Sequence, residues 1–334
     1  MLNKKILLIG GCGFIGHNLA IHLKKMGADP VIVDSLAINN ILSFVDDEVQ
    51  NKKLYSSILN NRIELLNKNE IKLIIQDARD YHAISKIYHD INPEIIIHLA
   101  AVSHANKSNK DPHSTFDHSF RTLENTLDYA KKNKTHVIYM SSSMVYGNFE
   151  SEDVKEDRVC KPIGIYGTLK YSGELLVKAY SDVFNLPYTI IRPSALYGER
   201  CVSRRVTQVF IENALTGQDL KILGSGQESL DFTYIKDLAL GISLCIDNEK
   251  SKNEIFNLTF GEARKISDLI DILREYFPKI SIKNLPKDKF TPERGTLDIS
   301  KARELLGYLP SNPIEKGYKE NIEWYIKFYE SIKQ

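Results

Sequence analysis

The sequence predicts an α/β fold built on a doubly wound parallel sheet, with a smaller mixed α/β lobe after it. Three observations carry that expectation. Short apolar runs alternate with amphipathic helical stretches through the first 195 of 334 residues. The first of these runs breaks into a glycine-rich turn that opens a helix, and after about residue 195 the rhythm changes to mixed short strands and helices.

The run KKILLIG, residues 4–10, reads as a buried strand, and FIGHNLAIHLKKMG, 14–27, has apolar residues at helical spacing closed by Gly27. Between them Gly10, Gly13 and Gly16 follow a G-x-x-G-x-x-G spacing, with Gly11 as an extra. A structural turn needs one or two glycines. This many lets main chain approach a pyrophosphate, whose charge is met by free N–H groups at the helix N-terminus. The next strand, PVIVDS, ends in Asp34, eighteen positions past Gly16, where a carboxylate takes the adenosine ribose hydroxyls of a dinucleotide. Polar, helical sequence at 36–70 then interrupts the alternation as an insertion. The strand-like runs KLIIQ, EIIIHLA, HVIYMS and YTIIRPS follow, separated by amphipathic stretches such as 114–133 and 167–185. We expect a Rossmann-type cofactor domain over 1–195, with 230–260 returning to it, and a discontinuous substrate lobe over 196–334 in which LGSGQES and LPKDKFTPERG are loops.

Composition excludes other classes. A net charge of +1 with no basic block interleaved with aromatics argues against a nucleic-acid surface. Cys12, Cys160, Cys201 and Cys245 are scattered, without C-x-x-C or metal-ligand spacing, and read as reduced thiols of a cytoplasmic protein that holds no metal. The N-terminal apolar run is too short for a signal segment, and no run reaches membrane-spanning length.

The chemistry concentrates in YMSSSMVYG at 139–147, YGTLK at 166–170 and IRPSALYG at 191–198. Tyr166 and Lys170, one helical turn apart, present phenol and ammonium on one face. The cation favours phenolate, so the tyrosine can act as a base. Bringing a phenol down by ~3 units from its ordinary pKa takes roughly 4 kcal/mol of differential stabilisation. Tyr329 and Lys333 repeat the spacing and read as a solvated helix face. What separates Tyr166 is company: the hydroxyl cluster Ser141, Ser142 and Ser143 ends a strand some 25 residues earlier, where the crevice of such a sheet opens.

With DARD, HLAA, DFTYIKDLALGI and RGTLDISKARELLGY, these motifs occur in the order of the extended short-chain dehydrogenase/reductases. The chain resembles their NAD-dependent nucleotide-sugar epimerases and dehydratases, of the UDP-glucose 4-epimerase type, nearly end to end outside 36–70. The resemblance implies that Gly10, Gly13, Phe14, Ile15 and Gly16 hold the pyrophosphate of NAD and Asp34 its adenosine ribose. Asp77 and Ala78 would border adenine, and Leu99, Ala100 and Ala101 the rest of the cofactor pocket. Tyr166 is implied as base and Lys170 as holder of the nicotinamide ribose. The catalytic hydroxyl falls on Ser142, with Ser143 second. His104, Ser142, Arg200, Arg204, Arg205 and Arg294 are the candidates for gripping a nucleotide-diphosphate sugar. A homodimer through helices of the cofactor lobe, including 167–185, is also implied.

The departures narrow the reading. Ser143 and Met144 stand where 4,6-dehydratases carry an Asp-Glu pair, and methionine transfers no proton, although VSHANKSNKDP at 102–112 resembles the dehydratases' loop. Ala195 and Leu230 replace an asparagine and an arginine that help bind the diphosphate. The expected activity is 4-epimerisation of a nucleotide sugar, most simply a UDP-sugar, through a transient 4-keto sugar with enzyme-bound NAD. The alternatives are a dehydrogenase, dehydratase, decarboxylase or 4-ketoreductase of the same superfamily, or a non-catalytic NAD-binding scaffold.

Overall fold

The computed structural model describes residues 3–44, 51–102, 105–150, 153–287 and 291–333. The strands are β1 (Lys5–Ile9), β2 (Asp29–Asp34), β3 (Lys72–Ile75), β4 (Ile95–His98), β5 (His136–Met140), β6 (Tyr188–Arg192), β7 (Leu196–Tyr197), β8 (Leu220–Leu223), β9 (Ser229–Leu230), β10 (Thr233–Tyr234), β11 (Glu254–Asn257), β12 (Arg264–Lys265) and β13 (Ile282–Leu285). Seven of them form one parallel sheet in the order β11-β6-β5-β4-β1-β2-β3. Its central strands are apolar on both faces because helices cover both, as a parallel sheet requires.

The helices are α1 (Phe14–Lys25), α2 (Lys52–Lys68), α3 (Tyr81–Ile91), α4 (Ala105–Lys110), α5 (Pro112–Phe116), α6 (Thr122–Asn133), α7 (Gly164–Phe184), α8 (Val206–Thr216), α9 (Ile235–Cys245), α10 (Ile266–Tyr276), α11 (Ser300–Leu306) and α12 (Ile314–Ser331). The stretch expected as one helix over 114–133 is instead α5 and α6 joined by a π-turn at Asp117–Arg121. Such widened turns re-aim side chains, and this one turns His118 and the first residue of α6, Thr122, toward the cleft above the sheet. The 36–70 segment forms a short 3₁₀ turn, Ile41–Phe44, and then α2.

Strand order reverses between β1 and β4, and that reversal opens a crevice beyond their carboxyl ends. The turns leaving these two strands touch there. A Cβ on Gly10, whose φ is +76°, would come within 2.7 Å of the Ala100 main chain. Residues 196–234 and 264–285 contribute the small strand pairs β7/β10, β9/β12 and β8/β13, which stand above the same end of the sheet. No described helix is long and apolar enough to cross a membrane, and all four cysteines are free.

Candidate active site

The crevice holds two connected spaces. The first, above β1, β2 and β4, is lined by the glycine turn, Phe14, Ile15, Asp34, Asp77 and Ala78, and on its other wall by Leu99, Ala100 and Ala101. Gly13 is the N-cap of α1; no side chain caps the helix and its first turn holds no acidic residue, so the first amides await an outside acceptor. A Cβ on Gly13 would meet nothing nearer than 3.4 Å, which leaves that face of the turn open to a ligand. The Asp34 carboxylate accepts the Cys12 N–H at 2.9 Å and the Leu36 N–H at 2.7 Å, so it is fixed at the lip of the turn. Asp77 is held in a forked contact by Arg79, which also reaches Asp117 at 2.7 Å. This donor set fits a dinucleotide: open helix amides for the pyrophosphate and an aimed carboxylate for the ribose. NAD is therefore expected to bind more tightly than NADP, whose 2′-phosphate would face Asp34. Tighter binding of NADP in a titration would contradict this.

The second space is a cavity of about 830 Å³ between the sheet end and the small strands. At its floor lie the hydroxyl cluster and the first turns of α7. Gly167 lets α7 seat against the turn after β5, since a Cβ there would stand 2.8 Å from the Met144 carbonyl oxygen. That contact brings the Tyr166 phenol to the Ser142 hydroxyl, which caps the 3₁₀ turn at Ser143–Tyr146 by accepting the Met144 N–H at 3.2 Å. Burial raises the phenol's pKa, while Arg205 and the bond with Ser142 oppose the rise. Ser143 also lines the cavity, with its N–H donating to the Pro193 carbonyl at 2.9 Å.

Lys170 is buried and its Nζ donates to the Met140 carbonyl at 2.6 Å, while the ammonium sits 5.2 Å from the centre of the Tyr139 ring. Burial brings its pKa down to about 8, against the pull of Glu174. Glu174 is a residue sequence reasoning missed. It lies one turn beyond Lys170 on α7, fully buried, and accepts from Arg192 at 2.9 and 2.6 Å and from Ser141 at 2.5 Å. The Tyr-x-x-x-Lys-x-x-x-Glu spacing was a signal for it. Lys170 should lose its proton as pH rises through about 8, and activity that draws on its ammonium should fall with it. Glu174→Gln removes the negative charge that holds the proton on, so the alkaline limb of the pH profile should move to lower pH. An unmoved limb would show that Glu174 has no electrostatic role there.

The predicted arginines separate. Arg205 lies between the two spaces and lines both, and Arg294 lines the second. The Nε of each is buried with no hydrogen-bond partner. Arg294 is brought down to about 10 by burial and then by the like charge of Arg205. Two guanidinium groups facing one cavity, mutually repelling and incompletely bonded, have the chemistry to take an anion. Arg204 also lines the cavity, with its Nη1 3.3 Å from the Tyr55 hydroxyl. Arg200 does not line either space. Its φ of +63° turns the chain so that the side chain donates to the His17 imidazole at 3.2 Å and stacks over Trp324, 5.5 Å from the ring centre. The proposed His104 contact lies outside the described residues. Ser194, unpredicted, adds a buried unpartnered hydroxyl to the cavity.

Residues 6–259 match the model of the NAD dependent epimerase/dehydratase family. The chain is 30% identical to a putative UDP-glucose 4-epimerase of Methanocaldococcus jannaschii, over 96% of this chain and 97% of that protein. Two solved structures superpose on it. One is a UDP-glucuronic acid 4-epimerase from Bacillus cereus in complex with UDP-glucuronic acid and NAD, with TM-score 0.86, 27% identity and coverage of 98% and 100%. The other is a UDP-glucose 4-epimerase from Thermotoga maritima with UDP-glucose, with TM-score 0.84, 26% identity and the same coverage.

Proposed function

This chain belongs to the NAD dependent epimerase/dehydratase family, and on that footing we propose that it is a UDP-sugar 4-epimerase. The observation that carries the reading is one cavity with a Ser142, Tyr166 and Lys170 floor and a wall of two incompletely bonded arginines, Arg205 and Arg294. The floor suits removal of a proton from a sugar hydroxyl, and the wall suits a diphosphate.

In this reading Ser142 hydrogen-bonds the sugar O4 and Tyr166 takes its proton, with the charge of Arg205 favouring the phenolate and Lys170 placed to hold the nicotinamide ribose. NAD, when bound, would supply hydride-transfer chemistry at the sugar's C4. The cavity, at about 830 Å³, is large for a hexose alone and would give a 4-keto sugar space to present either face to the cofactor side. Tyr166 then restores the proton to O4. Gly10, Gly13 and Gly16 hold the pyrophosphate and Asp34 the adenosine ribose. Arg205 and Arg294, with Arg204 at the rim, hold the substrate diphosphate.

Dehydration is disfavoured on two grounds. Ser143 and Met144 offer no carboxylic acid beside Tyr166. Among the described residues, the carboxylates that line the cavity have partners of their own: Glu228 has the Ser225 and Gly226 N–H groups, Glu293 has Lys287 and Glu150 has Arg158. Incubation of the NAD-loaded protein with UDP-glucose, UDP-glucuronic acid and their N-acetyl counterparts tests the reading. Appearance of the other C4 epimer from at least one of them is expected, and a 4-keto-6-deoxy or decarboxylated product would replace it with another family activity.

We read 1–195 with 230–260 as the cofactor lobe and the remainder as the substrate lobe. The protein is cytoplasmic in this reading, and a homodimer formed across α6 and α7 is supported by Leu175, Val183 and Phe184, which α7 leaves exposed. A monomeric mass in light scattering would contradict the dimer.

A further inference from the structure

The 36–70 segment lines the cofactor space with Ile38 and Asn39, and its helix α2 buries two polar side chains against the arm, residues 199–205, that carries Arg205. Arg62 is 1% exposed. Its Nε and Nη2 donate to the Arg200 carbonyl at 3.1 and 2.5 Å, and its Nη1 donates to the Cys12 carbonyl, in the glycine turn, at 3.4 Å. Two turns earlier on α2, Tyr55 is fully buried. Its hydroxyl donates to Glu212 at 2.7 Å and accepts from Arg204 and Gln208, both at 3.3 Å. Gln208 in turn accepts the Arg204 N–H at 2.8 Å. Arg200 and Arg204 are the two residues of this arm with left-handed backbone, at φ +63° and +54°. Non-glycine residues persist in that region only where their surroundings hold them, and here α2 holds both.

We propose that α2 is the template of the substrate arm: Arg62 and Tyr55 are positioning residues that keep the arm in its left-handed form and so aim Arg205 at the substrate's diphosphate. Burying a guanidinium against two main-chain carbonyls is costly unless every donor is used. Arg62 spends its donors on the glycine turn and the arm, tying the cofactor side of the crevice to the substrate side. A segment outside the matched motifs thus sets the affinity for nucleotide sugar without touching it.

The inference rests on the diphosphate reading of the cavity, and titration of the NAD-loaded protein with UDP separates the two. A native holoenzyme that binds no UDP sinks the substrate reading, and this inference with it, before any substitution is made. Given native binding, Arg62→Met should weaken UDP by roughly 10- to 100-fold, the usual cost of a misplaced binding group, with NAD content unchanged. Arg62→Lys, which can still reach one carbonyl, should recover part of the loss. Tyr55→Phe, which keeps the ring in the core, should weaken UDP to a smaller degree. UDP affinity within about twofold of native in Arg62→Met overturns the proposal; should that variant fail to fold, the same result in Tyr55→Phe does so. Loss of NAD in step with UDP, or no recovery with lysine, also overturns it, because Arg62 would then serve the fold and not the arm.

Discussion

Replacing Tyr166 with phenylalanine should lower turnover by roughly 10³-fold, the scale of a lost general base, while NAD stays bound. The ring keeps its place on the first turn of α7, seated by Gly167 against the Met144 carbonyl, so the cavity is not emptied. Only the proton acceptor goes. Ser142→Ala should cost less, on the order of 10²-fold, since it removes an orienting hydrogen bond and leaves the base. Tyr329→Phe, at the second Tyr-x-x-x-Lys, should change nothing: Tyr329 lies on α12 and Lys333 just past its end, over the Tyr329 ring at 4.4 Å, and the pair lines neither space. Steady-state rates with NAD content measured on the same samples check all three. Near-native turnover in Tyr166→Phe would remove the phenolate from the mechanism.

Arg205→Ala and Arg294→Ala should each weaken UDP binding by about 2 kcal/mol, roughly 30-fold in Kd, as expected for a lost charge-assisted bond to a phosphate. NAD affinity should hold for Arg294→Ala, which lies away from the cofactor cleft. The free protein should respond in the opposite sense. Each arginine has a buried Nε without a partner, and the charge of Arg205 depresses Arg294. Removing either relieves repulsion that the ligand otherwise relieves, so the melting temperature of the UDP-free variants should not fall. Calorimetric titration and thermal unfolding, run side by side, read both effects. Native UDP affinity in both variants would mean that the diphosphate is held by other groups.

The parts legible in the sequence are those with local causes. The glycine turn, the buried strands and the Tyr-x-x-x-Lys face each follow from spacing within one or two turns of chain, and the structure gathers Tyr166, Ser142 and Lys170 on one floor. What was illegible depends on direction and distance in space. Arg200 and Arg205 lie five residues apart and look alike in sequence. A left-handed residue at Arg200 sends the first toward Trp324, while the second enters the cavity. The Arg192–Glu174 pair joins residues 18 apart on β6 and α7, and the bonds of Arg62 span 138 and 50 positions. No periodicity reports such pairings. The π-turn at 117–121 is missed because the apolar residues on both sides of it read as one amphipathic stretch.

In the proposed epimerisation the hydrogen leaving C4 of the sugar is the one that returns to it. A UDP-sugar carrying deuterium at C4, incubated with the NAD-loaded protein in ordinary water, measures this directly by NMR. Epimerised product that keeps its deuterium at C4, with no net accumulation of NADH, is the predicted result. Deuterium lost to solvent, NADH formed in step with product, or a product from which water or carbon dioxide has been lost would contradict it.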